Sequence, residues 1–182
     1  KTVTNDANVG DFKPDWLWIK ARSGTYAARD HALYDSSRGA TKRLESNATD
    51  AEATDSNNTF NTNGFTLTSN YSINGPSTNH VAWQWKANGG TTTTNDASAT
   101  GIGNTDSVYQ ANTEAGFSIV TFSGTGSGMT VAHGLGGTPT LIISKARNDT
   151  ENWAVHTTLI DGSLDYLRLS ETDAAGNSSF SL

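Results

Sequence analysis

The chain has 182 residues and a net charge of −6, with only 16% charged side chains and no cysteine. That length serves one compact domain or two small ones, and the missing thiols exclude a disulfide framework and any thiolate metal site. The acidity is lopsided: residues 1–90 carry nine basic and nine acidic side chains, and residues 91–182 carry three and nine. This argues against a phosphate backbone as partner, because nucleic-acid binding needs clustered Lys and Arg.

A surface built from Thr, Ser and Asn rather than charges is common among β-rich extracellular and virion proteins. Five Trp, five Tyr and six Phe argue for a core rather than disorder. No apolar run approaches the roughly 20 residues that span a bilayer, so membrane insertion is not expected. Lys1 is neither an initiator Met nor preceded by a signal peptide, which reads as a mature product or an excerpt.

In chain order, the short apolar segments are rich in β-branched and aromatic residues and separated by Gly, Asn and Ser, which is a strand pattern. It predicts strands at 16–20, 31–34, 42–46, 64–69, 80–86, 116–123, 129–132, 140–145, 152–157 and 166–170. In Trp16-Leu17-Trp18-Ile19 both faces are apolar, so the strand needs cover on both sides. Val81-Ala82-Trp83-Gln84-Trp85 keeps its large residues on one face. Residues 49–56 suit a short helical turn, and Asn63-Gly64, Asn74-Gly75 and Asp161-Gly162 mark turns. The expected fold is all-β: an antiparallel β-sandwich of jelly-roll or lectin-like type with little or no helix.

Residues 14–22 read PDWLWIKAR and residues 139–147 read PTLIISKAR, an internal repeat with a spacing of 125. Downstream, His31 falls opposite His156, and after a slip Leu33 and Asp35 fall opposite Leu159 and Asp161. Arg43-Leu44 answers Arg168-Leu169, and Thr49-Asp50-Ala51 answers Thr172-Asp173-Ala174. The chain is therefore read as two related modules: residues 1–87 as the later part of a first, 88–100 as a polar Gly/Thr-rich linker, and 101–182 as the beginning of a second. On this reading a module is cut at each end.

Catalytic signatures are sparse. There is no G-x-S-x-G elbow and no phosphate-binding G-x-x-x-x-G-K-[ST] loop. Glycan cleavage needs paired carboxylates at a fixed separation. The nearest candidate is Glu171-Thr172-Asp173, where the repeat offers only Ser46 opposite Glu171, so a solvated turn is preferred. His31, His80, His133 and His156 never occur as H-x-H or H-x-x-x-H, and a hydrogen-bonding role is preferred to metal ligation. The acidic turns 6–11 and 50–55 offer oxygen ligands of the kind calcium takes, but neither fits the D-x-[DN]-x-[DN]-G loop. No metal, cofactor or catalytic residue is assigned.

The tryptophans are the binding candidates, because aromatic faces stack on sugars and anchor interfaces. Trp16, Trp18, Trp83 and Trp85 lie within strands and are read as core. Trp153, beside Asn152 and the polar run containing Asn148 and Asp149, is read as the accessible one. Trp153, Asn148, Asp149 and Asn152 are therefore the expected glycan or partner contact.

The phrases GDFKPDWLWIKAR, LYDSSRGATKRLESN, FNTNGFTLTSN, HVAWQWKA, AGFSIVTFSGTG and VAHGLGGTPTLIISKAR span nearly the whole chain. Together they resemble a tandemly repeated module of marine bacteriophage structural proteins, found in the long tail fibres and appendages of cyanophage-like viruses. The resemblance implies a jelly-roll or lectin-like sandwich on the virion surface, outside the cell, and supplies no catalytic residues. The expected function is a non-enzymatic structural protein of a tail fibre or appendage with host-surface glycan as a contact. A capsid decoration protein and a glycan-cleaving enzyme are the alternatives. The expected partners are other virion proteins and copies of the chain itself. A trimer is favoured because phage fibres are generally trimeric, and the two-faced apolar strand at 16–19 adds a need for cover.

Overall fold

The computed structural model describes residues 1–5, 10–55 and 58–177. It is 41% strand and 5% helix, all the sheets are antiparallel, and the all-β expectation holds. Four sheets contain the named strands. The first is built from β2 (Trp16–Gly24), β3 (Ala32–Asp35), β4 (Gly39–Leu44), β5 (Ala53–Thr54) and β8 (Thr78–Trp85), in the spatial order β5-β4-β3-β2-β8. A second contains β1 (Thr2–Val3), β6 (Asn58–Asn61) and β7 (Gly64–Leu67), in the order β1-β7-β6. The third contains β9 (Thr93–Asn95), β10 (Ser107–Asn112) and β11 (Phe117–Phe122). The fourth runs in sequence through β12 (Leu141–Ser144), β13 (Ala154–Thr157), β14 (Asp165–Arg168) and β15 (Gly176–Asn177).

Strand alternation explains how these sheets stack. Leu17, Ile19, Ala32 and Tyr34 point to one side of the five-stranded sheet, where they meet Phe65, Leu67 and Ile73, with Val3, Phe60 and Ala82 at the margin. This is the sandwich core. On the opposite side Leu33, Leu44, Trp16 and Trp18 pack against Trp153, Ile143 and Leu169 of the fourth sheet. The two-faced strand at 16–19 thus finds both of its covers within one chain, so it no longer argues for a neighbouring subunit.

The repeat is visible as topology. β2 to β5 and β12 to β15 are both four-strand meanders in which each strand pairs with its neighbours in sequence. Trp16 and its repeat counterpart Leu141 sit opposite Asp35 and Thr157. Continuing each register by one residue past the paired strands sets His31 in the place of Trp153, while Tyr34 takes the place of His156. The alignment of His31 with His156 is corrected accordingly: the β2–β3 connection is longer than its counterpart, and strand pairing, not residue identity, decides equivalence.

Three local expectations also change. Residues 129–132 form no strand, contributing only the bridge between Val131 and Thr105, because glycines crowd both flanks and weaken strand pairing. Residues 49–55 hold β5 in place of a helical turn; the helical turns are α1 (Tyr71–Asn74), capped by Asn70, and α2 (Ala97–Thr100), capped by Asp96. Residues 88–100, read as linker, carry β9 and α2. The Asn63-Gly64 turn is observed: Gly64 has φ +110°, and any Cβ there would overlap the Val3 carbonyl.

Candidate functional site

An aromatic ridge runs along the outer face of β2 and β8. The register sets Trp16 opposite Trp85 and Trp18 opposite Trp83, so all four rings lie on the same side of the sheet. Trp16 stacks on Phe117 of β11 at 5.5 Å between centroids and on Trp18 at 6.2 Å; Trp85 lies 5.1 Å from Trp16, and Trp83 meets Trp18 edge-on at 5.9 Å. His31 continues the row: the Trp18 indole donates to His31 Nδ1 at 2.8 Å. Burial and the nearby Lys20 charge hold the His31 pKa below its ordinary value, against an opposing pull from Asp30. Trp16 and Trp18 are half-buried, but Trp83 is 44% exposed and Trp85 37%. Their assignment to the core is therefore corrected. β8 is the edge strand; its inward face is His80, Ala82 and Gln84, and its large residues face solvent.

Trp153 shows the opposite error. It is 5% exposed, wedged against Leu33 and Leu44, and its indole donates to the Glu45 carbonyl at 2.8 Å. The polar sequence around it belongs to a loop that bonds to the first copy. Glu52 N–H donates to the Arg147 carbonyl at 2.7 Å and Glu151 N–H to the Thr49 carbonyl at 3.0 Å, while Arg147 grips Glu52 through two bonds of 2.9 Å. Arg38 reaches the same carboxylate at 2.8 Å. Asn152 accepts from the Ser170 hydroxyl, Asp149 caps Thr150 N–H in its own turn, and Asn148 is exposed. The four residues expected to form one accessible contact are thus divided between a buried interface and an exposed turn. Polar neighbours in sequence do not make a tryptophan accessible when a second sheet lies over it.

The other sequence candidates stay apart. Glu171 and Asp173 are exposed, and Asp173 bonds to Arg168 at 3.1 Å. Asp55 is engaged by the Tyr34 hydroxyl and Arg43, and Glu52 by Arg38 and Arg147, so two carboxylates of the 50–55 turn are spent on protein partners. The 6–11 turn lies partly outside the described residues. Among the described residues no group of three or more His, Asp and Glu side chains is placed to hold a metal, and no helix is long and apolar enough to cross a membrane.

Comparison with known proteins follows the same span. The family described as a domain of unknown function, DUF7483, matches residues 2–182. The chain belongs to that family. Searches of curated proteins and of solved structures found no match. The DUF7483 match crosses both copies of the meander and the segment between them.

That segment is fastened in the DUF7483 chain by two buried polar side chains that the sequence did not single out. Asp15 is fully buried and accepts from Ala87 N–H and Gly89 N–H at 2.8 Å and from the Ser36 hydroxyl at 2.6 Å. Gln110 on β10 accepts from Asn88 N–H and Gly90 N–H and donates to the hydroxyls of Ser36 and Ser37. Each satisfies backbone donors that burial would otherwise leave unpaired. The available signal was Asp15 immediately after Pro14 at the start of a wholly apolar strand.

Proposed function

We propose that this chain is a non-enzymatic structural unit of a virion surface, part of a phage tail fibre or appendage that works with other virion proteins and copies of itself. The observation that carries the proposal is the joint between the copies. The second meander lies on the first through Trp153, Ile143 and Leu169, and is held by the Arg147–Glu52–Arg38 ion chain. A tandem repeat joined in this way transmits position and load along its length, which is the work of a spacer or appendage. The resemblance of its phrases to phage fibre modules, and a sequence rich in hydroxyl and amide side chains, support the same reading. Trimeric assembly rests on that resemblance alone.

Antibody raised against the chain, applied to purified virions and followed by gold labelling, tests the proposal. Label on tail fibres or appendages is expected. Label over the capsid lattice would move the role to decoration, and label confined to non-virion fractions would overturn it.

A further inference from the structure

We infer that Trp83 and Trp85 form a binding surface for a neutral hexopyranose chain, an inference that rests on the virion-surface reading and names the ligand class such a unit would meet. Both rings project from one face of a single strand, two residues apart, which sets them about 6.6 Å from each other along the strand. They are firmly backed: Trp83 by Trp18, and Trp85 by Trp16 and by Phe117 at 6.3 Å. Rings already held against other rings lose little rotational freedom on binding. This matters for a weak ligand that contributes little energy per ring.

Size and chemistry choose the occupant. At 44% and 37% exposure the two rings present roughly 200 Å² of aromatic surface. A stable protein interface needs about 800 Å² from each partner, so this patch alone is too small to hold a second copy. It suits one or two sugar rings. A pyranose offers a face of C–H groups ringed by hydroxyls, which matches an indole with an apolar face and an N–H at its edge. Among the described residues neither the Trp83 nor the Trp85 indole N–H has a partner, whereas those of Trp18 and Trp153 do. Both are therefore available to sugar hydroxyls.

The test is affinity electrophoresis and tryptophan fluorescence of the intact chain, with soluble β-linked gluco-oligosaccharides and galacto-oligosaccharides as probes. Retardation and a fluorescence change are expected with at least one probe. Trp83→Ala and Trp85→Ala should each weaken binding about tenfold or more, and Trp83→Tyr, which keeps a ring face and loses the indole N–H, should weaken it less. Trp153→Phe should leave binding unchanged. Circular dichroism melts of each variant separate lost binding from lost folding, and Trp83→Tyr decides the matter if the alanine variants unfold. Absence of binding to every probe overturns the inference, as does binding unaltered in a folded double alanine variant. Self-association that the double variant abolishes also overturns it, because the ridge would then be a protein interface. Labelled virions with no sugar binding would sink only this inference, and sugar binding without virion labelling only the proposed location.

Discussion

The two meanders share strand order and pairing yet differ in depth of burial. In the first, Leu17, Ala32 and Tyr34 have no exposed surface and Ile19 has 1%. Their register counterparts in the second, Ile142, Ala154, His156 and Ser144, are all partly exposed. The difference comes from what each meander carries on that face. Over the first lie Phe65, Leu67 and Ile73, and the described residues contain no counterpart of that layer for the second. Topology is set by pairing and turns; stability is set by the layer added afterwards. The substitution of Ser144 for Ile19 records this in the sequence.

The largest expected effect tests that comparison directly. Leu17→Ala should cost about 3–4 kcal/mol, because it leaves a cavity in a fully buried site. Ile142→Ala should cost about 1 kcal/mol, since a partly exposed site lets solvent and neighbours relax into the space. Urea unfolding of both variants measures the gap. Equal losses would mean that the second meander is covered as deeply as the first.

Next comes the joint between the copies. Trp153→Ala removes a buried indole and its bond to Glu45, and should cost about 3 kcal/mol. If the joint is what couples the copies, the variant should also unfold in two steps, with fluorescence of the remaining tryptophans and far-ultraviolet dichroism no longer coinciding. A single cooperative transition would show that Ile143, Leu169 and the Arg147–Glu52 contacts suffice to couple them without Trp153.

Asp15→Ala should cost about 2–3 kcal/mol, because Ala87 and Gly89 lose a charged acceptor in a buried place. Hydrogen exchange should rise first at those two amides, and unchanged exchange there would remove Asp15 from the role of fastener. At the ion chain the expectation is smaller. Burial pushes the Glu52 carboxyl up, but bonds from Arg147 and Arg38 outweigh it and hold the group below its ordinary value. Its stabilisation is therefore present above the ordinary carboxylate range and lost as pH falls through the depressed value. Glu52→Gln should cost about 1 kcal/mol at neutral pH and nothing further in acid.

Much of the sheet framework was legible in the sequence. Trp16–Ile19 alternates large residues on both faces, and that pattern does identify a strand covered twice. What the pattern does not carry is which element supplies the cover: a second copy of the same meander serves as well as another subunit. The two errors over tryptophan share this cause. Trp83 and Trp85 look like core because they alternate within a strand, but β8 is an edge strand whose outer face extends past the second copy. Trp153 looks exposed because its neighbours in sequence are polar, but those neighbours bond to the first copy across a distance that local sequence does not encode. β10 was missed for a related reason: SVYQAN has a polar residue pointing inward, because Gln110 is there to hold the 88–90 backbone.

The smallest expected effect distinguishes the ridge from the rest of the molecule by its response to pH. His31 accepts the Trp18 indole N–H through Nδ1, which requires that nitrogen to carry no proton. Burial and Lys20 hold its pKa below the ordinary 6.5. The folded chain thus resists a proton that the unfolded chain takes up first at 6.5, so the contribution of neutral His31 is complete above that value and declines as pH falls through the depressed one. His156, also lowered by burial, acts in the same direction from the other meander. Urea midpoints at pH 7.5 and pH 5.0, above the window where Glu52 responds, should show a modest loss on acidification. His31→Asn keeps an oxygen acceptor for Trp18 and has no proton to gain, so it should reduce that loss while leaving the pH 7.5 midpoint nearly unchanged. His156→Asn should reduce it further. If the His31 variant loses as much between the two pH values as the parent does, the ridge is not anchored through a neutral histidine, and Trp18 must be held by its stacking partners alone.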